Sequence, residues 1–316
     1  MSAKAGAARP LYGCMGLGGD WNAEDYGSAE VTHAEAAVEA ALEIGITTFD
    51  HADIYRRGKS EAVFGELLGR NPSLRGQIEI QTKCGIRLAD AHRAGMYDLR
   101  GNHIRTSVEE SLTRLRTDVI DTLLLHRPDP LADPSEIAET LTSLHSQGMV
   151  RQFGVSNMDA PQIALLQSHL ELPLVVNQLE MSLHRRDWLE LGVLVNTTHA
   201  TEVGFPNGTL EHCRMHGIRL QAWASLAQGK YSGLQSTTAE HETAQLVEKL
   251  AESKGTTPET ILLWWLQRHP ARIEPVIGSA RPDRIRSCRD AVERAPELSH
   301  EEWYELWITA RGAPLP

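Results

Sequence analysis

The stretch TTFDHADIYRRGKSE, residues 47–61, begins as the end of an apolar run and then becomes rich in titratable side chains. Asp50, His51, Asp53 and Tyr55 fall within six residues of one another. A buried strand that ends in polar groups is typical of a parallel sheet whose carboxyl edge holds a binding or catalytic site. This stretch therefore predicts both a fold class and a place to look for chemistry.

The same pattern recurs along the chain, where short apolar runs alternate with segments of helical periodicity. The predicted strands are 11–17, 45–50, 78–83, 119–126, 150–156, 173–178, 218–223 and 273–278. The predicted helices are 32–44, 60–69, 104–115, 134–146, 160–170, 240–254, 258–268 and 281–294. Strands rich in Val, Ile and Leu on both faces belong in a buried parallel sheet. Eight alternations predict an α/β fold of the closed (β/α)₈ kind, a TIM barrel.

The length of 316 residues suits two average domains or one barrel. No repeat, low-complexity tract or linker marks a boundary, so we expect a single domain over 1–316. Thr32 and Glu35 have capping-box spacing, which predicts the start of the first helix. No apolar run approaches 18 residues, so we expect a soluble protein without a membrane partner. Cysteines that form no disulfide pattern favour a reducing cytoplasm as its location. No run of exposed apolar residues predicts a dimer surface, and a monomer is expected.

The charge balance of 31 Lys and Arg against 42 Asp and Glu, a net −11, argues against nucleic-acid partners. Any ligand with a phosphate would need a local basic pocket. The four cysteines lie far apart without a CxxC pair, so neither a metal site nor a disulfide framework is predicted. They are Cys14, Cys84, Cys213 and Cys288.

A doubly wound dinucleotide-binding fold is the competing interpretation, because GLGGDW at 16–21 begins like its glycine fingerprint. Gly16 and Gly18 have the first spacing, but Trp21 stands where the third glycine is required. The fingerprint therefore fails. These glycines serve either a tight turn or the close approach of backbone to a ligand.

The strand ends carry a set of groups with complementary chemistry. Lys83 ends an apolar strand and needs an anion if it is buried, and Asp50 is the natural partner. An ammonium beside a phenol favours the phenolate, which would lower the pKa of Tyr55 and make it a proton donor. His126 could hydrogen-bond the same substrate oxygen or relay a proton. Each residue alone could equally be structural.

Four motifs together resemble the aldo-keto reductases: FDHADIYRRGKSE, QTKCG, LLLHRPDP and GMVRQFGVSN. LLLHRPDPLADP and VVNQLEMSL are most similar to the bacterial YdhF-like branch. The resemblance implies a (β/α)₈ barrel and a catalytic tetrad of Asp50, Tyr55, Lys83 and His126. It implies an NADP(H)-dependent oxidoreductase that reduces a small aldehyde or ketone to an alcohol, with Tyr55 as proton donor.

The resemblance also implies a cofactor site. Ser156, Asn157 and Gln178 would hydrogen-bond a carboxamide, and Trp223 would stack on the nicotinamide, although a core aromatic is the alternative. Arg281 and Arg284 would hold a phosphate at a helix start, unless they form a solvated helix face. The implied cofactor-binding residues are Gly18, Gly19, Asp50, Ser156, Asn157, Gln178, Trp223, Ala224, Ser225, Leu226, Gln228, Gly229, Gly278, Ser279, Arg281 and Arg284.

The sequence departs from the family pattern at several positions. Ala224-Ser225-Leu226 replaces a usual Ser-Pro-Leu, and Cys288 stands at an adenine-contacting position. His51 replaces a threonine and receives no role. Substrate choice is expected in 86–102, in the segment between Gln178 and Ile218, and in the tail after Glu297. The residues expected at the mouth are Trp21, Tyr97 and Trp188.

The sequence is also compatible with two other functions. A regulatory or sensor protein of the same fold would bind the cofactor but hardly turn over. A metal-dependent barrel hydrolase would use His51, Asp53, His126 and His184, although the sequence lacks the H-x-H and H-E-x-x-H spacings.

Overall fold

A computed structural model describes residues 8–233 and 240–316. Eight parallel strands are β1 Leu11–Gly13, β2 Thr48–Asp50, β3 Glu79–Cys84, β6 Ile120–Leu125, β7 Val150–Ser156, β8 Leu174–Glu180, β9 Arg219–Trp223 and β10 Glu274–Ile277. They close into a barrel in the order β1-β10-β9-β8-β7-β6-β3-β2. The remaining pair, β4 Ile86–Arg87 and β5 Met96–Tyr97, forms a separate antiparallel hairpin. The predicted (β/α)₈ barrel is confirmed.

Helices follow the barrel strands and cover the outside of the barrel. They are α1 Ser28–Glu43, α2 Lys59–Arg70, α3 Gly101–Leu115, α4 Pro134–Ser146, α5 Ala160–His169, α6 Asp187–Val193, α7 Thr209–Met215, α8 His241–Lys254, α9 Pro258–Gln267, α10 Pro282–Arg286, α11 Arg289–Glu293 and α12 His300–Arg311. Within the described ranges, no helix is long and apolar enough to cross a membrane.

The predicted start of the first helix at Thr32 is wrong. Helix α1 begins at Ser28, because the Glu30 carboxylate accepts a hydrogen bond from the Gly27 N–H at 2.8 Å and caps the helix one turn earlier. Thr32 lies inside the helix, where its hydroxyl donates to the Ser28 carbonyl.

The predicted helix 281–294 is also wrong as one element. It is divided into α10 and α11. At the break, the Ser287 carbonyl accepts hydrogen bonds from the side chains of Thr257 and Thr260. The contacts that accompany this break come from α9 and its N-cap residue, far away in sequence, so local periodicity carries no signal for it.

Three helices, α6, α7 and α12, lie in segments with no predicted element. Trp188 of α6 is buried against Trp265 of α9, with ring centroids 5.7 Å apart. Trp303 of α12 stacks on the same Trp265 ring at 5.2 Å. These contacts hold Trp188 and the C-terminal tail in an aromatic cluster on α9. The expectation that Trp188 lines the mouth is therefore wrong.

Candidate active site

The carboxyl ends of the barrel strands open onto one cavity of about 550 Å³. Its lining combines aromatic, amide, hydroxyl and guanidinium groups from every part of the chain, as expected of the carboxyl face of a barrel. The lining residues are Gly13, Met15, Asp50, Tyr55, His126, Arg127, Ser156, Asn157, Gln178, Trp223, Ala224, Ser225, Leu226, Gln228, Gly229, Ser232, Val276, Gly278, Ser279, Arg281 and Arg284.

Asp50 and Lys83 form a fully buried ion pair at the floor of this cavity. The Lys83 Nζ lies 2.7 Å from Asp50 Oδ2 and donates a second hydrogen bond to the His51 carbonyl at 2.9 Å. The other Asp50 oxygen accepts hydrogen bonds from the amides of Gln81 at 2.6 Å and Gln178 at 3.1 Å. Burial lowers the pKa of Lys83, but the nearby oxygens of Asp50 and Tyr55 raise it by more, so the pKa lies above its ordinary value.

Tyr55 receives the third hydrogen of the Lys83 ammonium. Its hydroxyl oxygen lies 3.1 Å from the Lys83 Nζ. The turn that carries it is strained, because Arg56 and Arg57 directly afterwards have positive φ of 52° and 57°. Strained backbone of this kind persists where the surrounding structure imposes it, and it clusters at functional sites.

The predicted direction of the Tyr55 pKa is wrong. Burial raises the pKa of Tyr55 above its ordinary value, and the Lys83 charge opposes this shift without reversing it. The ammonium favours the phenolate, but the loss of water around the buried phenol disfavours it more strongly. At neutral pH the group is therefore the neutral phenol, which holds a proton that it can give away.

The His126 ring packs edge to face against the Tyr55 ring, with centroids 6.1 Å apart. Burial, with the positive charges of Lys83 and Arg127, holds the pKa of His126 well below its usual range. The imidazole is therefore neutral. Within the described residues its buried Nδ1 has no hydrogen-bond partner. The proton is then best placed on Nε2, because an orphaned acceptor nitrogen costs less than an orphaned N–H.

Polar side chains at the end of β7 contact Trp223 at the next part of the rim. The Trp223 indole N–H donates to Asn157 Oδ1 at 3.1 Å, and the Asn157 amide donates to Ser156 Oγ at 2.7 Å. Asn157 itself has a positive φ of 57°. The amide thus fixes the plane of an indole that lines the cavity.

The segment after Trp223 departs from the family's usual sequence, but a hydrogen bond to the neighbouring strand holds it in place. Ala224 and Gln228 both line the cavity with positive φ, 54° and 56°. The Ser225 hydroxyl donates to the Val276 carbonyl on β10 at 2.8 Å. Ser225 thus ties the loop to the neighbouring strand.

The basic end of the cavity lies at β10. Arg281 pairs with Asp283 at 2.6 Å, and Arg284 pairs with Glu259 at 2.6 Å. Helix α10 begins only at Pro282, so Arg281 is its cap and not part of its first turn. Cys288 is buried, and its thiol donates to the Arg284 carbonyl at 3.5 Å. It does not line the cavity.

The structure does not bring Gly18 and Gly19 to the cavity. A side chain at Gly18 would lie 2.8 Å from the Lys59 backbone, and one at Gly19 would lie 2.8 Å from Glu30. Both have positive φ. These glycines therefore serve a tight turn against α1 and α2, which is the first of the two roles that the sequence predicts for such glycines.

Sequence reasoning missed five residues that line the cavity: Gly13, Met15, Arg127, Ser232 and Val276. Arg127 directly follows His126, and its position just after the end of a strand could have predicted that it lines the cavity. Met15 lies in a short 3-10 helix, Cys14–Gly16, directly after β1, where the sequence predicted a continuous strand. Ser232 lies in a turn and had no such signal.

The residues of the hydrolase alternative do not form one centre. The His51 ring is buried edge-on against Phe64 at 4.7 Å, and burial first, then Lys83, lowers the pKa of His51 to about 3. His184 lies instead beside Tyr231. Across residues 8–233 and 240–316, no three His, Cys, Asp or Glu side chains are grouped so that they could hold a metal ion.

A family model described as "Aldo/keto reductase family" matches residues 11–308. The chain belongs to this family. An oxidoreductase, YdhF, from Escherichia coli is 35% identical over 283 residues, which cover 88% of this chain and 88% of the relative. A 6-dehydroglucose reductase from Agrobacterium fabrum is 36% identical and covers 99% of this chain and 97% of the relative.

A solved aldo-keto reductase from Klebsiella pneumoniae in complex with NADPH has the same architecture. It superposes with a TM-score of 0.69 at 25% identity, covering 98% of this chain and 92% of the other. Aldo-keto reductases are oxidoreductases that use nicotinamide cofactors and act on small carbonyl compounds. This protein is therefore an oxidoreductase enzyme, and the resemblance seen in its motifs is confirmed.

Proposed function

We propose that this protein reduces an aldehyde or ketone to an alcohol with NADPH and that Tyr55 donates the proton. One observation carries the proposal: the Tyr55 hydroxyl lies 3.1 Å from an ammonium that the Asp50 carboxylate holds in place at 2.7 Å. A phenol in that position faces the cavity on one side and a fixed positive charge on the other.

The side chains that line the cavity suit the three parts of a nicotinamide nucleotide: its ring, its carboxamide and its phosphate. Trp223 offers a flat indole face, held by Asn157, on which a nicotinamide ring can stack. Ser156 and Gln178 line the same cavity and offer hydrogen-bonding groups for a carboxamide. Arg281 and Arg284 lie at the β10 end, where they can hold a phosphate. When bound, NADPH would supply a hydride to the carbonyl carbon.

Tyr55 then donates its proton to the carbonyl oxygen, on which negative charge develops. It is a neutral phenol at physiological pH because burial raises its pKa, so the proton is present when the oxygen needs it. Once the proton has left, the phenolate lies against the Lys83 ammonium and is stabilised by it. Asp50 keeps that ammonium in place.

His126 supports the same oxygen without taking part in charge transfer. Its pKa lies well below the usual range, so the ring stays neutral and cannot compete as an acid. A neutral imidazole with its proton on Nε2 donates a hydrogen bond to the substrate oxygen. Tyr55 and His126 together orient the carbonyl.

The test is a comparison of the purified protein with Tyr55→Phe, using NADPH and 4-nitrobenzaldehyde and following absorbance at 340 nm. We expect the substitution to reduce kcat/KM by about 10²–10⁴-fold, the usual contribution of a general acid. In the unmodified protein, kcat/KM should not change between pH 6 and 9, because the Tyr55 phenol stays protonated over that range.

The affinity for NADPH, measured by fluorescence quenching, serves as the control and should stay within about twofold in Tyr55→Phe. Unchanged activity in that variant would reject Tyr55 as the donor. NADPH binding with no turnover on a broad carbonyl panel would favour the alternative of a sensor protein.

A further inference from the structure

Arg127 is a cation at the substrate side of the cavity. Strand β6 ends at Leu125, and the next two residues, His126 and Arg127, both line the cavity. The guanidinium acts on the His126 ring, because its positive charge contributes to the lowered pKa of that imidazole. It therefore lies close to the group that would bind the substrate oxygen.

Arg127 differs from the other two arginines of the cavity in its pairing. Arg281 is paired with Asp283, and Arg284 is paired with Glu259. In the part of the chain that the structure describes, Arg127 has no ion pair and no hydrogen bond from its guanidinium. A partly buried guanidinium without an anion is costly, so a ligand that brings one is favoured.

The position of Arg127 in the barrel separates it from the phosphate end of the proposed cofactor site. In the closed strand order, β6 lies four strands from β10 in either direction. Arg127 and the β10 arginines therefore stand on opposite sides of the barrel mouth. β6 is also the neighbour of β3, the strand that carries Lys83.

We propose that Arg127 selects carbonyl substrates that carry a carboxylate, so that the preferred substrates are oxo acids. The planar fork of a guanidinium matches a carboxylate in two parallel hydrogen bonds. Because Arg127 is adjacent to His126, the carboxylate must lie only a few bonds from the reacting carbonyl. This inference rests on the proposed carbonyl reduction and names its substrate class.

The experiment compares each of three oxo acids with its own methyl ester: glyoxylate, 4-oxobutanoate and 4-carboxybenzaldehyde. The ester keeps the carbonyl and nearly the same shape but removes the charge. For the acid whose length fits, kcat/KM should exceed that of its ester by about 10–100-fold, the range for a charge-assisted hydrogen bond. Arg127→Gln should remove most of that ratio by raising KM for the acid.

Arg105→Gln is the matched control, because it removes one positive charge from α3, which does not line the cavity. In this variant, the ratio of kcat/KM for the acid to kcat/KM for its methyl ester should be unchanged. The proposal is overturned if no acid exceeds its ester, if the ratio survives Arg127→Gln, or if Arg127→Gln weakens NADPH binding by the same factor as acid reduction. Absence of NADPH oxidation with every acid and ester would instead reject the carbonyl reductase function.

Discussion

Asp50 and Asp53 are three residues apart in the same stretch, yet their surroundings differ sharply. Asp50 accepts hydrogen bonds from Lys83, Gln81 and Gln178, so both of its oxygens are satisfied. Asp53 has an Oδ1 that is buried without a partner among the described residues. Burial, together with the nearby Glu61 carboxylate, raises the pKa of Asp53 to about 7.

The difference teaches that burial alone does not decide whether a carboxylate is stabilised here. Both side chains lie near cations, but Asp50 has an ammonium in direct contact. For Asp53 the nearby cation is Arg114, which donates to Glu61 at 2.8 Å. Direct hydrogen bonds compensate for lost hydration, whereas a charge already shared with another carboxylate compensates only in part.

Breaking the compensated pair should have the largest effect. Lys83→Met leaves the Asp50 carboxylate buried without its cation, which should lower the free energy of unfolding by about 3–5 kcal/mol. It should also lower kcat/KM by about 10²–10⁴-fold, because the phenolate of Tyr55 loses its stabilising charge. Urea unfolding and NADPH oxidation at 340 nm measure the two effects.

The double variant Asp50→Asn with Lys83→Met separates those two effects. It removes both charges, so most of the lost stability should return while activity stays low. A double variant as unstable as Lys83→Met alone would contradict the view that the orphaned carboxylate is the cause.

Removing the Asp53 carboxylate, which is poorly compensated, should increase the stability of the protein instead of lowering it. Asp53→Asn should raise the free energy of unfolding at pH 8 by about 1–3 kcal/mol, since a partly unsatisfied carboxylate is lost. The folded pKa of about 7 exceeds the ordinary 3.8, so the native state holds a proton between those values that the unfolded chain has released. The contribution of Asp53 to stability therefore declines as the pH rises from about 4 to 7.

Urea midpoints at pH 5.5 and pH 8 measure this prediction. The unmodified protein should lose more stability than Asp53→Asn between the two values. Equal losses in both proteins would show that Asp53 does not titrate in this window.

The smallest effect is expected at the exposed partner of Arg114. Glu110 lies 3.3 Å from that guanidinium with a side chain 62% exposed, whereas the Glu61 side chain is fully buried. Glu110→Gln should change the free energy of unfolding by less than about 0.5 kcal/mol, as exposed ion pairs contribute little. A loss above about 1 kcal/mol in the same urea titration would mean that Glu110 shares the role of Glu61.

The strand ends were predictable because each residue there follows a strong local signal. Lys83 ends a mostly apolar segment and His126 comes directly after three leucines, and the parallel topology brings such ends together. The helix break at Ser287 was not predictable, since the side chains that contact its carbonyl belong to Thr257 and Thr260. Likewise, the turn role of Gly18 depends on the Lys59 backbone, which lies against it only in the fold.

The sequence by itself determined the barrel, the family and most of the residues that gather at the cavity, because hydrophobic periodicity and short motifs are properties of local pattern. Only the tertiary structure decided the protonation of Tyr55 and Asp53 and left Arg127 unpaired within the described chain. The physical reason is that hydration and charge pairing depend on every neighbour in space, and most of those neighbours are distant along the chain.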